Sequence, residues 1–589
     1  MHGPADGVGL RPARPAEAER LSELVMRSKA AWGYDDAFLD ACREQLRIRP
    51  GEVIRRRTVI AERCGTPLGV ATLDGDPPEG ELGLLFVEPD TMRQGVGRAL
   101  YRHVLAEAGR LGFRRLAIDA DPHAVPFYRA VHAEPVPLAG PPAAGPAAAD
   151  ALVRMQAWPP AREPSWSAAW DGGSRPVIVG NAAEFNGQFG QGVRGPDHYS
   201  CLAAFCAARP AMVLLPMPVE GWWIEHVGAA LGWEGVQVHS GLAGDARVCV
   251  AVGARPDLLR RIAAERSRTL PWGRTADFAA IAPGPRDALR AVRRYESKRH
   301  AHTLFRALAG EHPRIAVPAQ RPMGSPRALA RELSDGRRVV LKREYGVGGA
   351  GTLIVSGDTP GLRPLLRRWA RDGALVEEYV EGDEVHRDVT FDAVVAADGW
   401  VHPVGAGLMH VDGTAYRGVT VGPGVLPDVL ARAAAGFGTA VGRALAADGY
   451  RGWFDVDFVA TASGRLAPTE INLRLTGPAV AFHVQAALDR RRGGRHIVRT
   501  ADQLPLGARL PSAALREHVT DLVRRCQGLG ATLLVTIPTA AFDAAPYLGV
   551  AIAARTVSAA AAAETAVRQA NADLGGLFRD PALSPPGDR

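Results

Sequence analysis

Residues 452–478 read GWFDVDFVATASGRLAPTEINLRLTGP. Asp457 and Glu470 are 13 positions apart, and Asn472 follows Glu470 by two. On a strand, residues i and i+2 point to the same face. Glu470, Asn472 and Arg474 therefore share one face, and a neighbouring strand adds Asp457 to it. Hard oxygen ligands of this kind suit Mg²⁺. A guanidinium beside them complements developing negative charge. The bland alternative is a solvated polar strand edge.

Working outward, the upstream chain supplies phosphate-handling parts. Val339–Lys342 (VVLK) reads as an apolar strand ending in Lys342. It runs into Tyr345-Gly-Val-Gly-Gly-Ala-Gly-Thr352, where Gly346, Gly348, Gly349 and Gly351 form a loop able to close over phosphates. Lys298, in YESKRHAHTLF, opens an amphipathic helix; taken alone it reads as a surface lysine. Leu375–Glu384 (LVEEYVEGDE) is a short strand whose glutamates and main chain suit an adenine, with a Glu after the Gly turn for ribose.

The order Lys298, Lys342, glycine loop, Glu377–Val380, Glu384, Asp457, Glu470-x-Asn472-x-Arg474 resembles the ATP-grasp superfamily. The resemblance implies that Lys298 and Lys342 contact ATP phosphates. It implies that Glu377 accepts from the adenine amino group while the Glu378 and Val380 main chain reads the ring edge. Glu384 would bind ribose, Asp457, Glu470 and Asn472 would hold Mg²⁺, and Arg474 would lie near an acyl phosphate. Asp455 departs from the D-alanine ligase branch, which carries Arg two before the metal Asp. The flanks Asn181–Gly195 (NAAEFNGQFGQGVRG) and 537–554 (IPTAAFDAAPYLGVAIAA) resemble the pheganomycin-type peptide ligases of natural product biosynthesis. Asn181, Glu184 and Arg194 are substrate candidates there, or a loop stabilised by its own polar groups.

A second site lies near the N-terminus. Glu81–Arg98 reads ELGLLFVEPDTMRQGVGR, with a strand at Leu82–Val87 and a helix at Gly97–Arg110. Glycines admit a ligand to the backbone, and free amides at a helix start bind anions. Arg114–Asp119 reads as the next strand, and DPHAVPFYRA (121–130) as a helix carrying Tyr128. Over residues 8–158 this resembles the GNAT N-acyltransferases. The resemblance implies that Arg93, Gln94, Gly95, Val96, Gly97 and Arg98 hold the acetyl-CoA pyrophosphate. It implies that Val87 polarises the thioester carbonyl through its amide and that Tyr128 is a general acid. Met92 and His123 depart from the family's Gln/Arg and Asn positions. Tyr128 also reads as a core aromatic, and Glu81 is a candidate base or an exposed strand carboxylate.

The 589 residues exceed one ordinary domain, and the composition, 47% hydrophobic and 23% charged, excludes a mostly disordered chain. The pattern predicts a multidomain α/β (α+β) chain: a GNAT-like mixed-sheet domain (1–158), a Pro-rich linker (159–175), an α/β pre-grasp domain (176–290), an α+β grasp domain (291–510) and a small α+β C-terminal domain (511–589). A hairpin loop is expected at 137–149. The net charge of +7 fits two polyanion sites rather than nucleic acid, because no dense Lys/Arg tract with interleaved aromatics occurs. No signal peptide or membrane span is read, and the six cysteines form no CxxC, so a cytoplasmic chain is expected.

The expected chemistry is carboxylate plus ATP to an acyl phosphate and ADP, then attack by an amine. The expected partners are small-molecule acids and amines, without nucleic acid or membrane; the oligomeric state stays open. Two other readings remain: a binding module built on decayed enzyme folds, and a ligase making a non-peptide product. Acetylating an amino acid's amine would leave only its carboxylate reactive, which gives a fused acetyltransferase a purpose.

Overall fold

The computed structural model describes residues 7–136, 152–190, 196–243, 247–265, 267–282, 286–346, 348–349 and 351–577. The expected hairpin loop at 137–149 and the candidate Arg194 lie outside these residues. The chain divides into two compact units, residues 1–162 with 488–494, and residues 163–487 with 495–589.

The first unit is built on one sheet of seven strands: β1 (Gly9–Pro12), β2 (Val59–Arg63), β3 (Thr66–Asp76), β4 (Glu79–Val87), β5 (Arg115–Ala120), β6 (Glu134–Pro135) and β7 (Val153–Ala157). Their order is β1-β2-β3-β4-β5-β7-β6. Among the described residues, only the β4–β5 pair is parallel. Alternation along β2 sends Val59 and Ala61 to one core and Ile60 to another. Apolar residues at helical spacing cover each face. Leu100, Val104 and Ala108 of the helix Val96–Leu111 fill one core, and Leu21, Leu24 and Val25 of the helix Ala18–Ala30 fill the other.

Two irregularities shape β4. The β3–β4 register shifts between Ala71 and Leu73, so the chain bulges at Gly83–Leu84, and the Thr72 hydroxyl accepts the Leu84 N–H at 2.9 Å. Strand β5 pairs with β4 only from Glu79 to Glu81, so among the described residues the C-terminal half of β4 has no strand partner on that side.

The second unit carries three sheets. Strands β8 (Val177–Val179), β9 (Met212–Leu214), β10 (Gln237–His239) and β11 (Thr269–Pro271) form a parallel sheet in the order β10-β9-β8-β11. All three residues of β8 and of β9 are buried, as two-sided cover requires of parallel strands. Strands β12 (Gln320–Pro322), β13 (Val339–Lys342), β14 (Thr352–Val355) and β15 (Leu375–Glu378) form an antiparallel sheet in the order β12-β15-β13-β14.

The third sheet has eight antiparallel strands. They are β16 (Asp388–Val395), β17 (Val401–Asp412), β18 (Ala415–Val421), β19 (Gly452–Ala460), β20 (Leu466–Asn472), β21 (Ile497–Pro505), β22 (Thr532–Ile537) and β23 (Tyr547–Ala554). Their order is β20-β19-β16-β17-β18-β21-β23-β22, so the C-terminal strands extend the sheet that holds Asp457 and Glu470. The architecture is mixed α/β with several sheets, as the sequence pattern predicts. Among the described residues, no helix is long and apolar enough to cross a membrane.

Candidate active site

The second unit contains a cavity of about 370 Å³. Strands β19 and β20 supply its acidic wall. Their register sets Asp457 opposite Glu470 and Asp455 opposite Asn472, so all four share one face. Asn472 donates to Asp455 Oδ1 at 2.7 Å and to Asp457 Oδ2 at 3.3 Å. Arg474 donates to Asn472 Oδ1 at 2.8 Å. Asp457 Oδ1 is buried and has no hydrogen-bond partner among the described residues.

Two ion pairs bring the buried lysines to this wall. Ser297 caps the helix Lys298–Leu308 and donates to Glu344 at 2.7 Å, which fixes the helix start. From there Lys298 Nζ reaches Glu470 Oε2 at 2.8 Å. Lys342 ends β13, where its Nζ lies 2.6 Å from Glu377 Oε1 and 3.1 Å from the Thr469 carbonyl. Glu377 Oε2 accepts from Gln320 at 2.8 Å.

The titration of these groups follows from burial and neighbours. Burial works against ionisation of Glu470, but Lys298, Lys342 and Arg474 outweigh it and hold the carboxyl below its ordinary value. Burial pushes Asp457 well up, and the like charges of Asp455 and Glu470 add to this. Burial pushes Asp455 up to about 6 against Thr476, Arg474 and Asn472. Glu296, which accepts the Leu473 N–H at 2.6 Å, is pushed up to about 7 by burial, with Arg474 opposing. Around this wall, burial thus favours the protonated forms of Asp455, Asp457 and Glu296, while nearby cations favour ionised Glu470.

The remaining sequence candidates divide. Gly348, Gly349, Glu378 and Val380 line the cavity, whereas Glu384 is exposed and outside its lining. Gly346 and Gly351 also lie outside the lining, and Val347 and Ala350 are not among the described residues. The loop runs through positive φ at Gly348, Gly349 and Gly351, and a Cβ on Gly349 would fall 1.7 Å from the Thr414 carbonyl. Only glycine fits there. Asn181 and Glu184 are tied inward: Asn181 exchanges hydrogen bonds with Gly273, and Glu184 accepts from Thr275 and Cys249. Tyr199, Trp272, Tyr416 and Asp502 line the cavity unforeseen. Asp502 left one trace, a carboxylate inside the strand Ile497–Pro505; burial pushes it up to about 7, with the neighbouring Tyr199 opposing.

The first unit presents a separate arrangement. Arg93 (φ 63°) and Gly95 (φ 87°) turn the chain from β4 into the helix Val96–Leu111, where Gly95 is the N-cap. Arg93, Gln94, Gly95 and Arg98 are exposed, Gly97 is half-buried, and Val96 anchors the turn in the core. The first amides of such a helix lack intrahelical partners and favour anions. Val87 ends β4 with its N–H donated to Ser28 Oγ at 3.3 Å. Tyr128 is 6% exposed, packs edge-on against Tyr101 and Phe127, and has its hydroxyl pKa raised by burial. Glu81, half-buried, is also raised by burial, with Asp119 adding to it. His123 stacks on Trp32 at 5.3 Å.

Comparison with known proteins adds the following. The family described as "Acetyltransferase (GNAT) family" matches residues 19–132. No curated protein matches the chain. Among solved structures, N5-carboxyaminoimidazole ribonucleotide synthetase from Thermus thermophilus is similar at 18% identity and TM-score 0.35, covering 69% of this chain and 100% of that one. L-amino acid ligase from Bacillus licheniformis is similar at 13% identity and TM-score 0.39, covering 67% and 96%. PaiA N-acetyltransferase from Thermoplasma acidophilum, in complex with coenzyme A, is similar at 16% identity and TM-score 0.21, covering 25% and 97%. The chain therefore carries a region matching the GNAT acetyltransferase family, followed by a second α/β unit with a charged cavity of its own.

Proposed function

We propose that the second unit is an ATP-dependent carboxylate–amine ligase that forms an acyl phosphate and releases ADP. We propose with it that the first unit is an acetyl-CoA-dependent N-acyltransferase in the same biosynthetic sequence. One observation carries the ligase reading: Lys342, Asp457, Glu470, Asn472 and Arg474 line one cavity, and Lys298, though 172 positions before Glu470, reaches its carboxylate.

Buried lysines need anionic partners. Glu470 and Glu377 fill that place in the free protein, and phosphate oxygens are the natural replacement. When Lys342 turns to a phosphate, Glu377 is left as an acceptor for the adenine amino group, beside the Glu378 and Val380 main chain. The glycine loop would close over the phosphates and keep water from the acyl phosphate. Arg474 would neutralise charge at the reacting phosphoryl group. Glu384 reaches a ribose only if its segment closes toward the cavity.

The oxygen set of Asp457, Glu470 and Asn472, with the unpartnered Asp457 Oδ1, fits a hard divalent cation. Mg²⁺ held there would supply charge neutralisation for the phosphates. In the first unit, the amides from Arg93 to Arg98 would hold the CoA pyrophosphate. Tyr128, kept protonated by burial, would donate to the leaving thiolate. Val87 offers its N–H to a thioester once Ser28 releases it. The acetylation would cap an amine on a substrate or product of the ligase.

The test is an ADP-release screen over pooled carboxylates and amines, with CoA release followed in parallel. Lys342→Ala and Glu470→Ala should each abolish ADP release. Activity unchanged in both would overturn the site. Ligase turnover confined to compounds the first unit never acetylates would refute the capping role.

A further inference from the structure

Part of the cavity wall has no role in the proposed nucleotide site: Asn186, Tyr199, Trp272, Tyr416, Asp502 and Gln503. Three aromatic side chains and one carboxylate stand out. Asp502 is 4% exposed, and its Oδ2 has no hydrogen-bond partner among the described residues. No Lys, Arg or His among those residues forms an ion pair with it. The nearby Arg417 is spent on Gln503 at 2.7 Å and on Asp412 at 3.3 Å.

The backbone explains how the carboxylate comes to line the cavity. Strands β21 and β23 slip register between Ala501 and Leu504, which face Val550 and Leu548. The extra residue falls at Asp502–Gln503, and such a bulge re-aims side chains out of the regular alternation. A bare carboxylate oxygen in a buried site is costly unless a partner arrives. The aromatic surroundings restrict that partner. Tyr199 and Trp272 meet edge-on at 5.5 Å, and ring faces attract a cation while rejecting an anion.

We propose that Asp502 receives the primary ammonium group of the ligase's amino substrate, with Tyr199, Trp272 and Tyr416 forming the aromatic wall around it. The assignment rests on reading this cavity as the ligase site. It names the substrate class there as a primary amine or amino acid, bound through a charge-assisted hydrogen bond to Oδ2. The ammonium belongs either to the attacking amine, which must first give up a proton with the Asp502 carboxylate as acceptor, or to the amino acid whose carboxylate is activated.

Binding decides the assignment independently of turnover. The full chain, loaded with a non-hydrolysable ATP analogue and MgCl₂, is titrated by calorimetry with the amides of L-alanine, L-leucine and L-phenylalanine. These are cations without a carboxylate. At least one should bind to the wild type, its N-acetyl counterpart should not, and Asp502→Asn should weaken it at least tenfold. Asn keeps the shape and cannot ionise, so the variant is expected to fold. A wild type that binds none of the amides, that binds the acetylated forms equally, or that loses nothing in Asp502→Asn overturns the proposal. Hydroxylamine trapping separates the two sources. If Asp502→Asn still forms hydroxamate from a free amino acid but no longer couples an amine, the ammonium is the nucleophile's. If it forms hydroxamate only from the N-acetyl amino acid, the ammonium is the donor's. A wild type without ADP release on any substrate removes the ligase reading, and the titration still judges Asp502.

Discussion

Lys342 Nζ and Glu377 Oε1 lie 2.6 Å apart, with both side chains at most 5% exposed. Such a pair is poor evidence of stability but strong evidence of mutual dependence, because either partner alone is an uncompensated buried charge. Lys342→Met should therefore cost about 3–5 kcal/mol of folding free energy. Lys342→Met combined with Glu377→Gln should recover most of that loss while ADP release stays absent. Urea unfolding and the ADP assay check the two halves. A double variant as unstable as the single one would show that the pair is not coupled.

Glu296 makes the second unit sensitive to pH. Burial raises its carboxyl to about 7 from an ordinary 4.5. Between those values the folded protein holds a proton that the unfolded chain has lost, so stability falls as pH rises through that window. Glu296→Gln keeps an acceptor for the Leu473 N–H and lacks the titration. Its stability relative to wild type should grow between pH 5 and pH 8, by on the order of 1–3 kcal/mol. Melting temperatures across that range measure it, and parallel profiles for the two proteins would refute the assignment.

The legible part of this site was its local part. The i, i+2 spacing of Glu470 and Asn472 already put them on one face, and β19–β20 pairing added Asp457 to it. Lys298 looked like a surface residue on its own; only its place in the ordered set suggested otherwise, and it is 4% exposed and paired to Glu470, 172 positions away. The Lys342–Glu377 pair was hidden for the same reason, since it depends on the antiparallel pairing of β13 with β15. Asp502 escaped because strand alternation does not foresee a bulge. Glu384 shows the converse: an order of motifs named it, and the fold leaves it outside the cavity lining.

In the first unit, Gly95 and Gly97 separate backbone need from space. Gly95 has φ 87° and open surroundings, so Gly95→Ala meets no clash but must hold a left-handed conformation. That costs about 1–2 kcal/mol and tilts the first amides of the helix Val96–Leu111. Gly97 has no positive φ, and its Cβ would meet Val87 and Phe127 at ordinary contact distances of 3.5 and 3.6 Å. Gly95→Ala should lower both the melting temperature and CoA affinity, while Gly97→Ala should leave the melting temperature within about 2 °C or raise it, since strain-free changes stay within about 0.5 kcal/mol and Ala favours a helix. Equal destabilisation by the two would remove the turn's special role.

Tyr128 distinguishes a proton donor from a packing residue. Its ring lies among Tyr101 and Phe127 in the core, and burial keeps the phenol protonated. Tyr128→Phe keeps the ring and the packing, so folding stability should change by less than about 1 kcal/mol, the usual worth of one hydrogen bond. If the hydroxyl serves the leaving thiolate, acetyl transfer should fall by about 10²–10⁴. The loss should appear in kcat with KM for acetyl-CoA nearly unchanged, because a group acting only in the transition state does not bind the ground state. CoA release under saturating acetyl-CoA gives the number. A variant with full turnover and intact stability would return Tyr128 to the core as packing alone.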